Sequence, residues 1–514
     1  MKQTAMKTKQ SIPDKRAEKV RIWSGILLLA ANVLFFLTIW LSNTYDDICI
    51  DQFLYHLKSS TVGSDSSLTG SAVLVIGVCS YLVTVGEIWL YVLLSGGLKK
   101  LSAHKAYVKY CAGKCCSFFK RRMLPLALAL LLASASVFTI RMEVVAYLAA
   151  SLNNSELIRE IYADPDFVEL TFPEKKRNLI YIFLESMEST YGSTDAGGSI
   201  TDNFIPELTA LAEEYVSFSN TEGLGGALSY TGTTWTAAAL VSQTAGVTVK
   251  VPLSAENYGG ENPYMPGLVT LGDVLEAQGY NQSVLFGSDA EFANRDSYFT
   301  QHGSYRIIDT KSLKADGKLP QDYHVWWGFE DEKLIEYAKE EISRLASLEE
   351  PFNFTMLTAD THFPNGYVCE DCENIYEEQY ANVLRCSSKR VAEFVRWIME
   401  QPFYENTTIV ICGDHLTMDP NFLDGIDEDY VRTIYNCIIN AAAEPAECTN
   451  RQFGSYDMFP TTLAALGIEI KGNRLALGTN LFSGVKTLTE QYGYGYLEEE
   501  LQKNSEFYNA QLIE

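Results

Sequence analysis

The chain has 514 residues, 47% of them hydrophobic and 20% charged, with a formal net charge of −25. That length allows two or three domains with a sizeable core, and 12% aromatic residues exclude global disorder. Charge is divided unevenly: residues 1–141 carry 17 Lys/Arg against 7 Asp/Glu, and residues 142–514 carry 23 against 58. The acidic part excludes non-specific nucleic-acid binding, which needs a Lys/Arg-rich face to displace counterions from phosphates.

Three apolar runs come first. Residues 22–41 hold no charge, residues 72–94 hold only Glu87, and residues 124–140 end at Arg141. A hydrocarbon core of about 30 Å needs roughly 20 helical residues, with about 17 as the lower limit. Three membrane-spanning helices are therefore expected. Lys2, Lys7, Lys9, Lys15, Arg16, Lys19 and Arg21 precede the first run. Eight more basic residues and no acid lie between the second and third runs, from Lys99 to Arg122. The loop between the first two runs holds Asp46, Asp47, Asp51 and Asp65 beside Lys58. By the positive-inside rule the N-terminus is inside, and everything after about residue 141 lies outside a cytoplasmic membrane. The first run is longer than a signal-peptide h-region and lacks a small-residue cleavage site. Glu87 is either functional or turned towards a neighbouring helix.

Beyond a polar linker at 142–177, partly helical at 143–162, apolar runs of strand length alternate with amphipathic stretches. Strands are expected at 178–184, 216–219, 283–286, 352–357 and 407–412. Helices are expected at 204–215, 268–278, 330–347, 376–400 and 456–466. Continuous apolar strands between helices imply an α/β domain with a mostly parallel sheet covered on both faces, spanning 178–485. An acidic, helical tail follows from 486 to 514. Of eleven cysteines, five precede residue 142. Cys369 and Cys372 frame a C-E-D-C turn; with one CxxC in the chain, a local disulfide is expected there rather than a zinc site.

In such sheets chemistry sits beyond the carboxyl ends of the strands. Glu185 follows the first strand directly, Asp414 and His415 follow the last, and Asp360 and His362 lie just past the strand between them. Glu185, Asp414 and His415 have the oxygen-plus-imidazole chemistry of a divalent-cation site. The Gly/Ser/Thr-rich stretch before residue 236 leads into a small-residue helix. A hydroxyl at its start, Thr236, faces free N–H groups that stabilise an alkoxide or a phosphoryl oxygen, and a bound cation would activate it. Thr231, Thr233 and Thr234 are rival nucleophiles, and Glu188 is a rival for Glu185. No Rossmann glycine fingerprint or P-loop is present, which argues against nucleotide-driven chemistry.

These residues resemble a known family. T-A-A-A-L-V-S-Q-T-A-G from Thr236 to Gly246 is similar to the nucleophile helix of the alkaline-phosphatase/sulfatase superfamily, with the glycine ten residues after the hydroxyl. The proline and arginine of the sulfatase motif are missing, which argues against formylglycine formation and sulfate-ester hydrolysis. L-E-S at 184–186 and G-D-H at 413–415 are similar to lipoteichoic acid synthases and to phosphoglycerol transferases acting on periplasmic glucans. F-A-N-R-D at 292–296 and F-T-Q-H-G at 299–303 resemble the glucan-transferase branch more closely. Ala293 stands where some relatives have tryptophan, and three spans are counted where the synthases have five.

The resemblance implies a sulfatase-like fold and ligation of one divalent cation, Mn²⁺ first with Mg²⁺ or Zn²⁺ as alternatives, by Glu185, Thr236, Asp414 and His415. It implies that Arg295 and His362 hold a phosphoglycerol head group. The implied reaction moves glycerol phosphate from phosphatidylglycerol to a glycan or polyglycerolphosphate acceptor through a covalent threonine intermediate. The alternatives are a two-metal phosphodiesterase or phosphatase with a second ion at Asp360 and His362, a phosphoethanolamine transferase, and a non-enzymatic glycan-binding protein of the envelope.

Overall fold

The computed structural model describes residues 15–45, 48–63, 66–94 and 106–514. Lys2, Lys7, Lys9, Lys99, Lys100 and Lys105, on which the expected orientation partly rests, lie outside the described residues, as do Asp46, Asp47 and Asp65. The chain divides into two compact units, one of residues 1–43 with 67–145, the other of residues 44–66 with 146–514.

The first unit carries the apolar runs. Three helices, Lys19–Thr44, Ser67–Val92 and Arg122–Arg141, are long and apolar enough to cross a membrane. Within it Glu87 is turned to a neighbouring helix: its Oε2 accepts a 2.8 Å bond from Asn32 Nδ2, which also donates to Thr84 Oγ1 at 2.9 Å. A carboxylate that receives an amide donor inside an apolar bundle needs no further role to explain it.

The second unit is built on a six-stranded sheet. Its strands are β1 (Asn178–Leu184), β2 (Asn281–Phe286), β3 (Arg306–Ile308), β4 (Phe352–Leu357), β5 (Thr407–Gly413) and β6 (Asn436–Ile439). The order across the sheet is β3-β2-β4-β1-β5-β6. All neighbours are parallel except β5 and β6. β1 lies at the centre, with Ile180 opposite Phe354 of β4 and Ile409 of β5. Every residue of β1 is buried, and strand alternation sends them to two cores. Leu179, Tyr181 and Phe183 enter one, while Ile180, Ile182 and Leu184 enter the other.

Helices fill both faces. Among them, in chain order, are α1 (Ile50–Lys58), α2 (Pro206–Glu214), α3 (Thr236–Ala245), α4 (Asp331–Ala346), α5 (Gln379–Met399) and α6 (Met458–Ala465). Core residues of α3 and α6, such as Leu240 and Phe459, join Tyr181. Leu208 of α2, Leu334 of α4 and Leu384 of α5 join Ile180. The stretch 216–219, expected as a strand, is not one: only Val216 forms an antiparallel bridge, to Ile438 of the short edge strand β6. Strands β3 and β6, of three and four residues, were not expected from the sequence.

Candidate active site

The carboxyl ends of β1, β4 and β5 converge. Glu185 leaves β1 and is anchored by its own amide, which donates to Thr358 Oγ1 beyond β4 at 3.0 Å. Asp414 leaves β5, its amide bonded to the Leu184 carbonyl at 3.0 Å. The Asp414 Oδ1 atom accepts from the amides of Ser186 (2.8 Å) and His415 (2.7 Å). Its Oδ2 is buried without a hydrogen bond and lies 3.4 Å from His415 Nε2. His415 Nδ1 is 2.7 Å from the Leu416 carbonyl, an acceptor only. That bond requires the proton on Nδ1 and leaves Nε2 with its lone pair.

Glu185 Oε1 is 3.6 Å from the same Nε2. Glu185, Asp414 and His415 are almost wholly buried, and burial, followed by the charge of Asp414, pushes the Glu185 carboxyl well above the usual carboxylate range. Two buried carboxylates, one with an orphaned oxygen, facing an imidazole lone pair make a donor set that fits a divalent cation. Among the described residues no other group of three or more Asp, Glu and His lies close enough to share an ion. The second metal centre expected at Asp360 and His362 in the hydrolase alternative is therefore not assembled. Asp360 Oδ1 instead accepts the Asp331 amide at 3.1 Å, at the start of α4.

Thr236 is the first residue of α3 and is half-buried. Its hydroxyl lies 3.3 Å from His415 Nε2 and 3.4 Å from Glu185 Oε2, so it joins the three ligand candidates. Gly246 closes the helix in the left-handed region, φ 69°, where a side chain would meet Phe459 and Ala476 at 3.1 Å. Two of the three rival hydroxyls are engaged elsewhere. Thr231 bonds Glu498 at 2.5 Å, Thr233 bonds the Tyr230 carbonyl at 2.8 Å, and Thr234 Oγ1 is buried without a partner. Glu188 is held by Arg432 at 2.7 and 2.9 Å, in a fork that takes both of its oxygens.

Arg295 and His362 line one small cavity with Glu185, Thr236, Phe292 and Trp327, about 30 Å³ in volume. Arg295 is buried over the Phe286 ring, 4.6 Å from its centroid. Its Nε donates to the Phe292 carbonyl (3.1 Å), and Nη2 to Ser288 Oγ (2.9 Å) and the Asp289 carbonyl (2.8 Å). Nη1 remains for an anion in the cavity. Burial lowers the Arg295 pKa to about 10, against the pull of Glu185, so the guanidinium stays charged at neutral pH. His362 Nδ1 bonds the Phe363 carbonyl at 2.6 Å, and its ring packs on Trp327, 4.4 Å between centroids.

Arg295 follows two non-glycine residues in the left-handed region, Ala293 and Asn294, both at φ 57°. Each such residue costs about 1–3 kcal/mol, so something must hold the turn. The holder is the segment 44–66. Tyr55 of α1 donates to the Ala293 carbonyl at 2.7 Å, Ala293 donates to the Ser60 carbonyl at 2.9 Å, and Ser60 donates to Asn294 Oδ1 at 3.1 Å. Tyr55 is fully buried beside Trp235, which precedes the candidate nucleophile, and Tyr258. Lys58 Nζ ties the segment down on the carbonyls of Pro252 (2.8 Å), Leu253 (3.0 Å) and Ala255 (2.6 Å). Asp51 accepts the Val251 amide at 3.0 Å, and burial raises its pKa to about 6. Nothing in the sequence links this segment to the site, because it stands between two apolar runs and α1 is only nine residues long.

Phosphoglycerol transferase I of Salmonella choleraesuis (strain SC-B67) is 29% identical over 341 residues, 64% of this chain and 43% of that protein. Phosphoglycerol transferase I of Escherichia coli (strain 55989 / EAEC) is 28% identical over 333 residues, 62% of this chain and 42% of that protein. The chain thus spans less than half the length of these relatives. Among solved structures, the lipoteichoic acid synthase LtaP from Listeria monocytogenes aligns with a TM-score of 0.47 and 17% identity, covering 64% of this chain and 82% of that one. The Sulfatase family model matches residues 177–468, the span that supplies the sheet and every candidate site residue, and the chain belongs to that family.

Proposed function

We propose that the protein is a membrane-anchored, metal-dependent phosphoglycerol transferase that moves glycerol phosphate from phosphatidylglycerol to a glycan or polyglycerolphosphate acceptor. The observation that carries the reading is the meeting of the Thr236 hydroxyl with Glu185 and His415 at the start of α3, with Arg295 and His362 on the same cavity. The phosphoglycerol transferases among the relatives support the group transferred.

Glu185, Thr236, Asp414 and His415 would hold one divalent cation, Mn²⁺ being our first choice. When bound, the ion lowers the pKa of the Thr236 hydroxyl and offsets phosphoryl charge. Thr236 Oγ1 attacks the phosphorus of the donor, its proton passing towards Glu185 Oε2. The phosphorus–oxygen bond to diacylglycerol breaks, and glycerol phosphate stays on Thr236 as a diester. His362 protonates the departing oxygen, and Arg295 pairs with the phosphoryl oxygens. An acceptor hydroxyl then attacks the same phosphorus and passes its proton to His362, while the Thr236–phosphorus bond breaks and Thr236 Oγ1 recovers its proton from Glu185. The free N–H groups at the start of α3 stabilise negative charge on the phosphoryl group in both steps.

The anchor keeps the domain at high effective concentration over a lipid donor. Because residues 44–66 and 146–514 pack as one body, both belong on the same side of the membrane, which supports an extracytoplasmic catalytic unit. The test uses the full chain in detergent with phosphatidylglycerol labelled in its acyl chains. Labelled diacylglycerol should appear with Mn²⁺ and vanish with EDTA or in Thr236→Ala. No diacylglycerol from folded, metal-loaded protein would refute the donor.

A further inference from the structure

Away from the candidate active site, three thiols converge. Cys369 and Cys372 lie on the loop that follows His362, and Cys386 lies on α5. Cys369 Sγ is 3.3 Å from Cys372 Sγ and 3.6 Å from Cys386 Sγ, and all three are unbridged. The expected Cys369–Cys372 pair therefore omits a third member, brought in by the fold from a helix seventeen residues on.

A disulfide would use two of these sulfurs and strand the third. Sulfurs held about 2.3 Å from a tetrahedral zinc stand roughly 3.8 Å from one another, close to the spacings observed. The loop has a further feature of metal-binding thiolate turns. The Cys372 amide bonds the Cys369 carbonyl at 3.2 Å.

Arg390, one helical turn beyond Cys386, donates to Cys369 Sγ at 3.1 Å and to Asp371 at 3.3 Å. Three thiolates around a divalent ion leave one negative charge, and the guanidinium neutralises it. Cys386 and Arg390 also line a surface groove of about 750 Å³ with Asp371, Glu373 and Lys389. An ion can enter through that groove, and solvent can fill a fourth position.

We propose that Cys369, Cys372 and Cys386 form a three-thiolate site for a thiophilic divalent cation of the zinc class, which staples the loop after His362 to α5. The thiols release their protons to solvent on binding. Soft thiolates prefer such an ion over Mn²⁺ or Mg²⁺, so this site and the oxygen-rich one are chemically separable. The stapled loop is otherwise tied near its start, where the Tyr367 amide bonds the Asp360 carbonyl at 2.7 Å and Trp326 stacks on Tyr367.

The test counts metals on the full chain purified in detergent without chelator, as wild type, Cys386→Ser and Asp414→Ala. Wild type and Asp414→Ala should retain zinc at one per chain, and Cys386→Ser should lose it. Loading the metal-stripped chain with Co²⁺ should give intense near-ultraviolet thiolate-to-cobalt absorption in wild type and Asp414→Ala. Absence of that band from folded wild type would overturn the proposal, as would non-reducing peptide maps that join any two of the three cysteines. The wild-type and Asp414→Ala measurements decide the matter even if Cys386→Ser fails to fold. Because Asp414→Ala empties only the other site, failure of the active-site reading stays distinguishable.

Discussion

The two halves of the candidate site are held in different ways. Glu185, Asp414 and His415 sit on the ends of the central strands β1 and β5, fixed by amide bonds between those strand ends. Arg295 opens the short helix Arg295–Gln301 and His362 sits on a loop, and the turn before the arginine takes a strained left-handed course that segment 44–66 clamps in place. Strand ends need no help from elsewhere in the chain. A cation that follows a strained turn needs a tertiary support of its own, and here that support lies more than 200 residues upstream. Ion binding should therefore depend on the strand ends and the start of α3, whereas head-group recognition should depend on the segment between the first two apolar helices.

Removing a strand-end ligand should have the largest effect. Asp414→Ala should abolish Mn²⁺ retention at the strand-end site and lower kcat by about 10³-fold or more, measured by manganese analysis beside diacylglycerol release; chelation of wild type should lower kcat to the same extent. On the loop side, Arg295→Lys keeps the charge but loses the planar fork that bonds Phe292, Ser288 and Asp289. A fall in kcat/KM of roughly 10²-fold with metal content unchanged is expected. The fragment 146–514, which lacks the clamp, should bind metal yet show kcat/KM roughly 10²-fold lower, since three bonds to the arginine turn are lost, each contributes about 1 kcal/mol and about 1.4 kcal/mol corresponds to tenfold. Full activity from that fragment would break the contrast. Tyr55→Phe is the smallest perturbation. It removes the bond to Ala293 and should raise KM about 3-fold with little change in kcat, which steady-state kinetics on labelled donor would resolve.

The same contrast explains what could be read from the sequence. Strands β1, β4 and β5 are continuous apolar runs, and the rule that chemistry lies past their carboxyl ends led directly to Glu185, His362, Asp414 and His415. Thr236 was marked by the small-residue helix behind it and by Gly246 ten residues on. Strands β3 and β6 escaped because three or four residues carry no usable periodicity, and 216–219 was over-read because a β-branched, aromatic run pairs only at Val216. Tyr55, Lys58 and Cys386 escaped for a different reason. Their meaning lies in partners between 17 and about 240 residues away, which neither local pattern nor spacing encodes.

The central claim is that Thr236 carries the glycerol phosphate during transfer, and rapid-quench peptide mapping by mass spectrometry tests it most directly. Full chain mixed with Mn²⁺ and phosphatidylglycerol, without acceptor, should yield a glycerophosphoryl group on the peptide containing Thr236, absent from Thr236→Ala. Diacylglycerol release with no adduct, or with the adduct on Thr234 or another hydroxyl, would contradict the account.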